Sequence, residues 1–171
     1  RKDVYITTKC PGAIGFQATI GCAEDALQML SQYGTDMGYI DLLLIHFPFV
    51  IKPECVGISS SPACDTAFYD PGTAARQETW KAMELLQKLG RARAIGISDY
   101  NSTHIAETLA VATRPIALHH VEWNPLHHDE DMLATCKKHG IQLQAWSPLG
   151  GARGLAHFVP RAQRAAGRVT H

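Results

Sequence analysis

The sequence lacks a long apolar run, an excess of one charge and an initiator methionine. No segment approaches the roughly 20 apolar residues of a transmembrane helix, and the first residues do not form a signal peptide. The formal net charge is zero, so overall charge does not favour nucleic acid or an anionic membrane as partner. With 46% hydrophobic and 19% charged residues, the composition predicts one globular domain. Because the chain starts at Arg1, we expect it to begin inside a longer protein.

Cysteine is scarce and irregularly spaced. The chain has five cysteines, which are Cys10, Cys22, Cys55, Cys64 and Cys136. Their odd number and scattered positions favour reduced thiols, and hence a cytoplasmic location, over a disulfide framework. Cys55 and Cys64 share a loop and could pair or bind a metal, although no CxxC spacing supports either interpretation.

The sequence instead shows a regular alternation of strand and helix patterns. Strands are predicted at 4–8, 42–45, 94–97, 116–121 and 141–146, and the apolar run at 42–45 predicts a strand buried on both faces. Helices are predicted at 22–33, at 74–89 with Thr73 as cap, after Asn101, and after Asp129, while 49–73 is predicted as a long loop. This order predicts an α/β fold with a parallel sheet and outer helices. Because no G-x-G-x-x-G motif follows the first strands, a partial (β/α)8 TIM barrel with about five of its eight units is favoured over a doubly wound sheet.

A functional side chain stands at the end of each predicted strand. These residues are Lys9, His46, Ser98, His120 and Trp146. The carboxyl ends of barrel strands form the active face, so we expect the five side chains to cluster there. His46 alone could be a satisfied core histidine, but the shared pattern favours a site.

Histidines at 119–120 and 127–128 suggest an alternative, a metal-dependent hydrolase barrel. Adjacent residues of a strand face opposite sides, which argues against His119 and His120 binding one ion. We therefore predict no metal site.

Five motifs carry a family resemblance. "ITTK", "YIDLLLIHFP", "TWKAMELLQKLGRARAIGIS", "HHVEWNPL" and "CKKHGIQLQAWSPLGG" resemble the aldo-keto reductase family in its own order. The resemblance implies an NADP(H)-dependent barrel oxidoreductase acting on small carbonyl compounds. It assigns residues 1–151 to an incomplete barrel, a fragment of the family fold, and leaves 152–171 as a diverged or disordered tail.

The resemblance also implies roles for individual residues. Lys9 matches the family's catalytic lysine, and His46 matches the histidine that orients the substrate. The family's acid, a tyrosine, and its aspartate lie on a segment that would precede Arg1, and Tyr5 is not expected to replace the acid. We therefore expect the chain alone to be inactive.

For the cofactor, the resemblance implies a carboxamide site, a stacking ring and a pyrophosphate loop. Ser98 and Asp99 match the family's Ser-Asn pair with aspartate replacing asparagine, and His120 stands where the family has glutamine. Trp146 matches the stacking aromatic residue. The pyrophosphate loop corresponds to Ser147, Leu149 and Gly150.

Two functions remain open from the sequence. The first is a carbonyl reductase or alcohol dehydrogenase that is monomeric when complete. The second is a non-catalytic, reductase-like barrel that serves as a binding or regulatory subunit. The substitutions at Asp99 and His120, together with the unmatched tyrosine, favour the second. The retained Lys9 and His46 count against it, and we therefore predict the first.

Overall fold

The computed structural model describes residues 3–32, 38–52, 55 and 68–151. Within them the chain forms seven strands and four helices. In chain order they are β1 (Thr7–Cys10), α1 (Phe16–Ser31), β2 (Ile40–Ile45), β3 (Val50–Ile51), β4 (Phe68–Tyr69), α2 (Thr73–Lys88), β5 (Ala92–Ser98), α3 (Ser102–Leu109), β6 (Leu118–Glu122), α4 (Glu130–Lys138) and β7 (Gln142–Trp146).

Five strands form one parallel sheet in the order β1-β2-β5-β6-β7. Each strand lies beside the next one along the chain, apart from the small antiparallel pair β3–β4 inserted after β2. This confirms the predicted α/β fold with part of a barrel. The β3–β4 pair lies in the segment predicted as an unstructured loop, and most of that segment is outside the described residues.

The main core lies between the outer face of the sheet and the helices. Its fully buried members include Trp80 and Met83 of α2, which confirms that these two residues serve packing. β2 is buried along its whole length, and Leu44 is buried on the opposite face from that core. A strand covered on both faces has no solvated side, which explains its uninterrupted apolar sequence.

Two helix starts differ from the predictions because glycines precede them. α1 begins at Phe16 rather than at 22, after Gly15 with a φ of 83°, so the acidic pair at 24–25 lies in mid-helix. α2 follows Gly72 with a φ of 84°, and Thr73 does not cap it but donates to Glu107. A glycine offers no side-chain cap that a sequence pattern could reveal.

The other two helix starts are as predicted. The Asn101 side chain accepts a hydrogen bond from the His104 amide at 2.9 Å, and the Asp129 side chain accepts one from the Met132 amide at 2.9 Å. Acidic residues in the first turn of α4 and lysines in its last turn complement the helix dipole.

The prediction of reduced thiols is wrong for Cys10 and Cys22, and also for Cys55, whose pairing the sequence left open. Cys10 and Cys22 form a disulfide with a Cα–Cα distance of 5.9 Å, and Cys55 is also disulfide-bonded. The fold brings the end of β1 against α1, a contact that the 12-residue spacing does not reveal. Cys136 is a buried free thiol, whereas Cys64 lies outside the described residues.

Within the described ranges, no helix combines the length and the apolar character needed to cross a membrane. The predicted tail at 152–171 lies outside these ranges, so the domain boundary at 151 stays a prediction.

Candidate active site

The carboxyl ends of the four strands β1, β2, β5 and β7 surround a cavity of about 350 Å³. It is lined by Lys9, His46, Phe47, Asp99 and Trp146. Four of these were candidates from the sequence. Phe47 was not, although it directly follows His46; its ring stacks on the His46 imidazole with centroids 4.0 Å apart.

The strand register explains why Lys9 and His46 share this cavity. Lys9 is the next-to-last residue of β1, not the residue after the strand as predicted. Cys10 turns outward to α1 through its disulfide, so Lys9 turns to the opposite face. Lys9 pairs with Leu44 of β2. His46 lies two residues after Leu44, so its side chain lies on the same face of the sheet as those of Leu44 and Lys9.

Burial and mutual proximity shift the titration of the basic side chains. Burial lowers the pKa of the Lys9 ammonium, and the nearby Asp99 carboxylate partly opposes this shift. Burial, followed by the charge of Lys9, lowers the pKa of His46, again against Asp99. The His46 imidazole is therefore neutral at pH 7 and offers one N–H donor.

His119 and His120 face opposite sides of the sheet. The fully buried His119 ring lies on the helix side, where its Nε2 accepts from the Tyr100 amide at 3.1 Å and its Nδ1 is 3.7 Å from the Cys136 Sγ. His120 lies on the cavity side, where burial and then Lys9 lower its pKa. Across residues 3–32, 38–52, 55 and 68–151, no group of three or more potential ligands is arranged to hold a metal ion.

Asp99 connects the end of β5 with the middle of β6 and the end of β7. It lies just beyond β5 with a φ of 55°, and its amide donates to the His120 carbonyl at 3.0 Å. Its Oδ1 accepts from the Trp146 indole Nε1–H at 2.9 Å, and its Oδ2 lies 3.4 Å from the buried Ser98 hydroxyl. Ser98 in turn stands opposite His120 in the β5–β6 register. The Asp99 carboxylate is thus engaged by the chain's own side chains.

The predicted pyrophosphate loop forms a tight turn after Trp146. Ser147 has a φ of 49°, and its carbonyl accepts from the Gly150 amide at 2.7 Å. Leu149 is 71% exposed at this turn. These residues continue from the cavity edge but do not line the cavity.

No tyrosine lines the cavity in the described part of the chain. Tyr5 is 68% exposed, as expected for a residue outside the site. Tyr100 is buried in the core between sheet and helices, where burial raises the pKa of its phenol. Of the described cavity residues, only Lys9 and His46 can donate a proton to a substrate oxygen.

The parallel sheet and its outer helices define the chain as part of a (β/α) barrel, with the candidate site at the carboxyl ends of the strands. The model of the aldo/keto reductase family matches residues 1–160. The chain belongs to the aldo/keto reductase family.

Two curated relatives and one solved structure illustrate this relationship. Oxidoreductase YtbE of Bacillus subtilis is 31% identical over 93% of this chain and 47% of its own length. Glyoxal reductase of the same organism is 31% identical over 87% of this chain and 44% of its own. A Bombyx mori aldo-keto reductase crystallised in complex with NADP superposes with a TM-score of 0.67 at 30% identity, over 86% of this chain and 42% of that one. The chain spans about half the length of the curated relatives it matches.

Proposed function

We propose that the chain carries the cofactor-facing part of an NADP(H)-dependent reductase or dehydrogenase acting on small carbonyl compounds and their alcohols. The observation that carries this proposal is the single cavity that joins Lys9, His46 and Trp146. The relatives include a glyoxal reductase and a reductase crystallised with NADP, which agrees with this chemistry.

Trp146 in the cavity wall, together with residues beside the cavity, fits a nicotinamide. The Nδ1 atom of His120 is buried and has no hydrogen-bond partner among the described residues, so it can accept or donate one bond to a carboxamide. The Trp146 indole offers a flat face for stacking. The residues that would hold the cofactor are Ser98, His120, Trp146, Ser147, Leu149 and Gly150.

The bound nicotinamide would supply or accept the hydride. The neutral His46 ring would donate its N–H to the substrate carbonyl oxygen as negative charge develops there. The Lys9 ammonium would stabilise the same charge from the neighbouring strand. Phe47 and Trp146 would shield this polar pair from water, which strengthens both interactions.

Proton supply limits the chain as it stands. No tyrosine of the described residues lines the cavity, so His46 is the best remaining acid. Its lowered pKa leaves little of the charged imidazolium at pH 7. A positioned acid contributes about 10²–10⁴-fold to such reactions. We therefore propose that the chain alone turns over at least about 100-fold more slowly than a complete reductase.

The test follows NADPH absorbance with an activated aromatic aldehyde, using Bacillus subtilis glyoxal reductase as the reference. Lys9→Met should reduce any residual rate by about 10-fold or more, since an ammonium contact in the transition state is lost. Lys81→Met is the matched control, because Lys81 is 48% exposed on α2 and forms a surface ion pair with Glu78. A rate equal to the reference, or one unchanged by Lys9→Met, would contradict the proposal.

The second candidate is a non-catalytic, reductase-like subunit. The Asp99 carboxylate favours this second candidate, because a carboxylate lacks the amide donor of asparagine and this one already accepts a hydrogen bond from Trp146. NADP⁺ binding without turnover, in both this chain and a version extended upstream of Arg1, would support this candidate. We also infer a monomeric complete protein and no nucleic-acid or membrane partner, whereas the disulfide between Cys10 and Cys22 removes the argument from reduced thiols for a cytoplasmic location.

A further inference from the structure

The Asp99 carboxylate and the Trp146 indole form a hydrogen-bonded pair that joins two non-neighbouring strands. Asp99 follows β5 and Trp146 ends β7, and β6 lies between these strands in the sheet. The Nε1–Oδ1 distance is 2.9 Å. The pair therefore links the ends of β5 and β7 at the candidate active site.

This pair separates two cavities. The first, of about 350 Å³, holds Lys9 and His46, and the second, of about 300 Å³, is lined by residues that include Trp123 and Met132. Among the described residues, Asp99 and Trp146 are the two that line both. A rotation of the indole would therefore change the shape of both cavities at once.

The two side chains are complementary in a way that fixes the ring. An indole has one N–H donor and no acceptor, whereas an ionised carboxylate only accepts. One hydrogen bond to Nε1 thus selects one orientation of the ring about its side-chain torsions. Asp99 is itself held, because its amide donates to the His120 carbonyl at 3.0 Å and Ser98 approaches its second oxygen at 3.4 Å.

We propose that Asp99 is a positioning residue that fixes the Trp146 indole as the wall against which the nicotinamide stacks, rather than a ligand of the carboxamide. The nicotinamide part rests on the proposed function, whereas the positioning of Trp146 does not. Asp99 acts through Trp146, and the carboxamide is left to His120 and Ser98.

Three variants separate the contributions. Asp99→Gly removes the carboxylate and tolerates the φ of 55°. Asp99→Asn tolerates the same backbone conformation and keeps an acceptor oxygen, so it should rescue the contact. Trp146→Phe keeps an aromatic face but has no N–H donor. The indole N–H signal that is missing from the NMR spectrum of this variant belongs to Trp146.

The first measurement is hydrogen exchange of the indole N–H groups in the free 171-residue chain, followed by NMR. We expect the Trp146 N–H to exchange about 10–100-fold faster in Asp99→Gly than in the wild type, with Asp99→Asn close to the wild type. The Trp80 N–H, which donates to Glu84 at 2.9 Å, reports whether the fold is intact. Equal Trp146 exchange in the wild type and in folded Asp99→Gly would overturn the positioning role.

The second measurement is NADP⁺ affinity in a double-variant cycle. Asp99→Gly should weaken NADP⁺ binding by about 10-fold in the wild-type chain and by less than about twofold in the Trp146→Phe background. If Asp99→Gly cannot fold, Asp99→Ala takes its place in the cycle, because it removes the carboxylate with the smallest side chain at the φ of 55°. An equal loss in both backgrounds would mean that Asp99 contacts the cofactor directly, which overturns the proposal. A wild-type chain that protects the Trp146 N–H but binds no NADP⁺ would refute the proposed function and the nicotinamide part, and leave the positioning role standing.

Discussion

Replacing His119 by glutamine should remove part of the acid sensitivity of the fold. The His119 ring is fully buried, and its Nε2 accepts the Tyr100 amide at 3.1 Å. Burial, with a smaller effect of His120, lowers the pKa of His119 from 6.5 to about 4. Protonation at Nε2 would oppose the N–H donor of Tyr100, so the native state requires the neutral ring.

The direction of the effect follows from the lowered pKa. Above pH 6.5 the His119 ring is mostly neutral in both the folded and the unfolded chain, and its contribution to stability is fully present. As the pH falls toward 4, the unfolded chain gains a proton that the native ring resists, and stability is lost. At about pH 4.5 this loss amounts to about 2.5 kcal/mol.

The assay is urea unfolding at pH 7 and at about pH 4.5 for the wild type, His119→Gln and His139→Gln. The wild type should lose about 2.5 kcal/mol more than His119→Gln over this interval, because the other titrating groups are common to both chains. His139 is exposed at the end of α4, so His139→Gln should follow the wild type. Equal pH dependence in all three proteins would refute the account of His119.

Three further substitutions test the packing. Arg76→Met should cost about 2 kcal/mol in unfolding free energy, because Arg76 is 3% exposed and its loss removes the ion pairs with the half-exposed Asp70 and with Glu107, which is 18% exposed. Lys81→Met at a surface pair should change it by less than about 1 kcal/mol. Cys22→Ser should lower the free energy of unfolding of the oxidised chain by about 3 kcal/mol but have little effect in reductant; an equal effect in both conditions would contradict a stabilising disulfide. Gly96→Ala should lower the melting temperature, since a Cβ there would lie 2.4 Å from the Leu118 carbonyl oxygen, whereas Gly21→Ala in α1 has open space and should stabilise the helix by about 1 kcal/mol. Equal melting temperatures for the two alanine variants would refute the packing argument.

The sheet could be predicted because its signals are local. The uninterrupted apolar sequence of β2 reports burial on both faces, and the alternation of strand and helix patterns leaves a parallel sheet as the simple solution. Helix starts were predictable only where a capping side chain marks them, as the starts of α2 and α4 show. Asp129 has a capping side chain that the sequence displays, whereas Gly72 has none.

The start of α1 depends on a distant contact. The Gly15 amide donates to the Thr79 hydroxyl at 2.8 Å, across 64 residues of sequence. No local pattern could reveal this partner. The Cys10–Cys22 bond is similar, since it depends on α1 packing against the end of β1.

The sequence allowed us to predict which residues form the candidate site, but not which hydrogen bonds they make with one another. Lys9, His46 and Trp146 were identified from their places at strand ends, and one cavity joins them. The partner of Asp99 was not, because Trp146 lies 47 residues away and two strands across the sheet. Side-chain pairing across strand ends depends on rotamers that the sequence pattern does not encode.

The most direct test of the central claim is energy transfer from tryptophan to bound NADPH. A reduced nicotinamide stacked on Trp146 should quench tryptophan emission and produce sensitised nicotinamide emission on titration of the chain. Removing the stacking face in Trp146→Leu should raise the NADPH concentration at half-saturation by about 10-fold in this titration, whereas Trp123→Leu should saturate like the wild type, because Trp123 lines the neighbouring cavity and not the one with Lys9. Saturable transfer whose half-saturation point shifts in Trp146→Leu is the predicted result, and transfer that is absent, or that saturates equally in the wild type and Trp146→Leu, would contradict a nicotinamide site at these strand ends.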